Sequence, residues 1–74
     1  MRVKTDDPTS LADLLGFFRA SGCIAYFDAQ FDGIEVIAPH LFGTDEERRL
    51  QDLLASWQLE HPKVEVEAVA EVAA

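Results

Sequence analysis

Seventy-four residues make one small domain, near the lower end of sizes that fold alone. A hydrophobic content of 49% is too high for a disordered chain. Fourteen acidic residues against six basic ones give a net charge of −8, and no Lys or Arg lies between Arg19 and Arg48. No basic stripe can offset phosphate charge, which disfavours direct binding of nucleic acid or of an anionic membrane.

The single Cys23 forms no intramolecular disulfide. The opening segment, MRVKTDDPTS, has no apolar stretch of the signal-peptide kind, and no apolar run reaches membrane-spanning length. A cytoplasmic setting is the resulting expectation.

Residues 1–8 are polar, and Arg2–Lys4 add at most a short edge strand. Asp7-Pro8 suits an N-cap followed by the first helical position, with Thr9 and Ser10 as rival caps. Leu11, Leu14, Leu15 and Phe18 then recur at helical spacing. Gly22 supplies a left-handed C-cap, so the first helix is expected over about residues 8–21.

Cys23–Phe27 and Ile34–Ala38 read as two strands joined at Asp32-Gly33. A two-residue turn pairs Phe31 with Ile34, Ala29 with Val36 and Phe27 with Ala38. A longer loop starting at Asp28 shifts that register. Pro39 stops the second strand, and His40–Gly43 connects to a second helix. Thr44 and Glu47 have the spacing of a capping box, and three consecutive acids suit the positive end of the helix dipole. Those acids also argue against a phosphate there.

Leu50, Leu53, Leu54 and Trp57 form the buried stripe of this helix, which Pro62 ends. Val64–Ala68 alternates as a half-buried strand, and Val69–Ala74 either continues it or frays.

The expected fold is an α+β two-layer sandwich of order α-β-β-α-β, a single domain over residues 1–74. Both helices cover one face of a three-stranded sheet, and a right-handed crossover makes the last strand parallel to the second. The alternative, if residues 2–4 pair as an edge strand, is the ferredoxin-like order β-α-β-β-α-β. Residues 1–7 and 70–74 are the segments expected to fray.

No motif announces chemistry. His40, His61 and Cys23 lack metal-ligand spacing, and His61 is better explained by the helix C-terminus. Cys23 opens an apolar strand in an acidic chain, a poor setting for a thiolate. Asp28, Asp32 and Glu35 gather near the hairpin without pairing for acid–base work. No catalytic, cofactor or metal site is expected, and Trp57 reads as core.

The two helices cannot cover every apolar strand residue, which points to a partner surface. Tyr26, Phe27, Phe31 and Ile37 are its candidate residues, and a second copy is the simplest partner, by the helix-free sheet face or by an edge strand. The leading expectation is therefore a self-associating interaction module. An acidic inhibitor or antitoxin-like protein that covers a basic surface is the alternative. A small enzyme or ligand-binding domain using the sheet face and His40 comes third.

Overall fold

A computed structural model describes residues 1–30 and 32–69. Six elements follow in chain order: β1 (Arg2–Thr5), α1 (Pro8–Ala20), β2 (Ile24–Asp28), β3 (Gly33–Ile37), α2 (Gly43–Glu60) and β4 (Val66–Val69). The strands form one antiparallel sheet of order β2-β3-β1-β4. The domain is thus α+β with a four-stranded sheet, where the leading expectation has three strands. Its element order is that of the ferredoxin-like outline.

The correction turns on β1. Arg2–Thr5, expected at most at an edge, lies in the interior of the sheet between β3 and β4. Val3 is fully buried, and the N–H groups of Met1 and Val36 each donate to the other's carbonyl, at 2.7 and 2.8 Å. Just past β1, the Asp6 N–H donates to the Glu65 carbonyl at 3.2 Å, and the Glu65 N–H to the Asp6 carboxylate at 3.1 Å. β3 and β4 do run parallel, as a right-handed crossover requires, but with β1 between them.

The hairpin also departs from the tight-turn expectation. Phe27 pairs with Ile34 and Asp28 with Gly33, leaving Ala29, Gln30 and Asp32 outside the ladder. The Asp32 N–H closes the turn onto the Asp28 carbonyl at 2.9 Å, with Asp32 in the left-handed region at φ 62°. The Asp28 side chain accepts from the Gln30 N–H at 3.1 Å, an Asx turn. This register sets the whole apolar block of β2 beside β3, from Ile24 opposite Ile37 to Phe27 opposite Ile34. The tighter turn would run Tyr26 up to Pro39, which cannot complete a ladder. Both registers place the same side chains on the same face, so the core is unaffected by the shift.

α1 begins as expected. The Asp7 carboxylate accepts from the Thr9 N–H at 3.1 Å, the Thr9 hydroxyl at 2.7 Å and the Ser10 hydroxyl at 2.9 Å. These bonds, the Thr9 hydroxyl foremost, hold the Asp7 pKa below its ordinary value. Gly22 follows the helix at φ 87°, the left-handed conformation expected of it.

α2 does not use its capping box. The helix starts at Gly43, with φ 57°, and Phe42 before it provides no side-chain cap. Thr44 is thereby drawn into the first turn. Glu46 instead turns its carboxylate to the Ala38 N–H at 3.0 Å, tying the end of β3 to the start of the helix.

Val3, Ala25, Ile34 and Val36 from the sheet meet Leu14, Leu15 and Phe18 of α1 and Leu50, Leu53, Leu54 and Trp57 of α2. Both helices therefore cover one face. Trp57 is 2% exposed, and His61 stacks on it at 3.9 Å between ring centroids. Removing this ring should be severe: Trp57→Ala is expected to cost about 3–5 kcal/mol, measured by urea unfolding. A domain of this length has roughly 4–11 kcal/mol in all, so the variant should be largely unfolded in mild urea.

The Asp7 cap gives a pH dependence with a definite sign. A carboxyl whose folded pKa is depressed contributes stability above its ordinary pKa and loses it as pH falls through the folded value. Thermal midpoints of the wild type should therefore drop more steeply below about pH 4 than those of Asp7→Asn.

Candidate interaction surface

Alternation along the strands sorts the remaining side chains. Val3, Ala25, Ile34 and Val36 point under the helices, so Arg2, Lys4, Ile24, Tyr26, Glu35, Ile37, Glu67 and Val69 belong to the open face. One row crosses all four strands: Tyr26 beside Glu35, Glu35 beside Arg2, and Arg2 beside Val69. A second pair sets Lys4 beside Glu67. Arg2 Nε lies 3.8 Å from Glu35 Oε2.

Ile24, Tyr26 and Ile37 are exposed at 51, 46 and 37%, and Ile24 pairs directly with Ile37. The open face thus has an apolar end on β2 and β3 and a charged middle. That middle mixes both signs, with Arg2 and Lys4 against Glu35, Glu67 and the adjoining Glu65, in a chain of net charge −8. Asp28, at the hairpin end, turns its carboxylate to its own loop.

The four candidate residues do not form one patch. Tyr26 and Ile37 share the open face. Phe27 is on the opposite side, beside Ile34, and stays 56% exposed at the outer edge of the sheet. Phe31 lies outside the described residues. Ile24 is the residue that the expectation omits, although its spacing from Tyr26 places it on the same face.

The two outer edges of the sheet differ. The mutual bonds of Met1 and Val36 turn the Val36 backbone toward β1. By the alternation of an antiparallel ladder, Ala25, opposite Val36, directs its N–H and C=O outward from β2. Arg19 meets that group: its Nε–H donates to the Ala25 carbonyl at 3.0 Å. A charged side chain lying along an edge strand obstructs pairing with another chain.

The candidate chemical groups are dispersed. Partial burial pushes the Cys23 thiol pKa up; Arg49 opposes this and Glu46 adds to it. His61 caps the far end of α2, its Nδ1 2.9 Å from the Trp57 carbonyl, so that nitrogen carries the hydrogen. His40 is exposed in the connection between β3 and α2. Among the described residues, no group of three His, Cys, Asp or Glu side chains is placed to hold a metal ion. No described helix is long and apolar enough to cross a membrane.

The Arg19 contact can be tested by removing the side chain. Arg19→Ala should leave the fold intact by circular dichroism but speed aggregation on heating several-fold, followed by light scattering. Unchanged aggregation would show that the edge is blocked by something else. Comparison with protein-family models, with curated proteins and with solved structures finds no match.

Proposed function

We propose that the chain is a small protein-interaction module that pairs with a second copy of itself through the open sheet face. The observation that carries this reading is that this face carries both signs of charge. Two copies of a molecule with net charge −8 repel each other over most of their surface. On the open face, Arg2 and Lys4 alternate with Glu35 and Glu67 beside exposed Ile24, Tyr26 and Ile37. A two-fold axis through such a surface can set base against acid and apolar against apolar.

Arg19 favours the face over the β2 edge as the pairing surface. A cytoplasmic setting fits a chain with one half-buried cysteine. The net charge supports a second reading, in which an acidic surface outside this face covers a basic surface of another protein.

Sedimentation equilibrium at tens to hundreds of micromolar tests the pairing. The wild type should sediment as a dimer, and Tyr26→Asp combined with Ile37→Asp as a folded monomer. A wild type that stays monomeric throughout this range would refute the proposal.

A further inference from the structure

Among the described residues, no side chain is bonded to the outer backbone of Val66 or Ala68 as Arg19 is to that of Ala25. The Gln58 amide donates to the Val64 carbonyl just before the strand. Asp6 donates to the Glu65 carbonyl, so the backbone of Glu65 faces β1. Alternation then turns Glu67 inward as well and directs the N–H and C=O of Val66 and Ala68 away from the sheet. β4 is the last strand in the sheet, and its outer side borders α2.

Between that edge and α2 lie two adjoining hollows of about 380 and 310 Å³, which share Gln51 and Ala68. Leu50, Leu54 and Ala55 form their apolar wall on the helix side. The charged rim is acidic: Glu46 and Glu47 stand at one end, and Glu67 stands on the open face of β4, next to Glu65 at the strand's start.

From this geometry we infer that the β4 edge accepts one extended peptide segment in which apolar residues alternate with Lys or Arg. Backbone pairing with Val66 and Ala68 extends the sheet to five strands. Because side chains alternate, the apolar residues enter the groove against Leu50 and Leu54, while the basic residues emerge on the open face beside Glu65 and Glu67. The described length of β4 spans about 13 Å, room for about four peptide residues. The partner is another protein bearing such a segment. The site borders the open face proposed for self-pairing and shares Glu67 with it, but its backbone contacts are on Val66 and Ala68, which self-pairing by the face does not use.

A fluorescein-labelled hexapeptide of alternating Val and Lys is the probe, read by fluorescence anisotropy against the full chain. Binding is expected, at least tenfold weaker at 0.5 M than at 0.05 M salt, and at least tenfold weaker for alternating Val and Glu. N-methylation of the amides on one edge of the probe should abolish binding, while N-methylation of the other edge should not. Ala68→Pro removes an outward N–H and is expected to weaken binding at least tenfold. If that variant is unfolded by circular dichroism, the N-methylated probes on the wild type carry the same test. No binding at 200 μM, or binding indifferent to both N-methylation patterns, overturns the inference. So does concentration-dependent hydrogen-exchange protection of Val66 and Ala68 without peptide, since a second copy would then occupy the edge.

Discussion

The sheet depends on four residues, Arg2–Thr5. β4 is held in the sheet through its pairing with β1, and β1 in turn is anchored to β3. The anchor is unusual in its economy, because Val3 is the strand's one large apolar side chain and it is fully buried. Around it, Arg2 meets Glu35 on one side and Lys4 meets Glu67 on the other. Cross-strand pairs of opposite charge contribute modestly each, but they agree with one register and penalise a slip by one residue.

Much of this was legible in the sequence, and what was not has identifiable causes. The helices are written in stripes that match the buried residues: Leu14, Leu15 and Phe18 in α1, and Leu50, Leu53, Leu54 and Trp57 in α2. The Asp7-Pro8 start was equally readable, because a side-chain cap is a local contact. β1 was obscured because one valine among charged residues carries almost no periodic signal. The missed clue is electrostatic: Arg2 and Lys4 sit two apart in a chain whose other strands carry glutamates at the matching positions. Thr44 and Glu47 have capping-box spacing, yet Gly43 moves the helix start and Glu46 finds the Ala38 amide. Local pattern there yielded to a contact formed only after the chain folds back.

The surface was partly readable too. Strand alternation places Tyr26 and Ile37 together and Phe27 apart both in the expected tight turn and in the observed register. What alternation could not supply was the condition of the edges. That required knowing that Arg19, on the last turn of α1, comes to rest against the outer carbonyl of Ala25. It also required knowing that α2 leaves a groove beside β4.

The long reach between Thr5 and Val66 has a kinetic consequence. The β2–β3 hairpin and the two helices are built from near neighbours in sequence and can form early and locally. The β1–β4 pairing must wait until nearly the whole chain has been drawn together, the kind of closure that slows folding. Until it happens, Val3 lacks its neighbour Ala68 on the β4 side of the sheet. The closure of these two distant ends is thus the slow part of the domain's assembly.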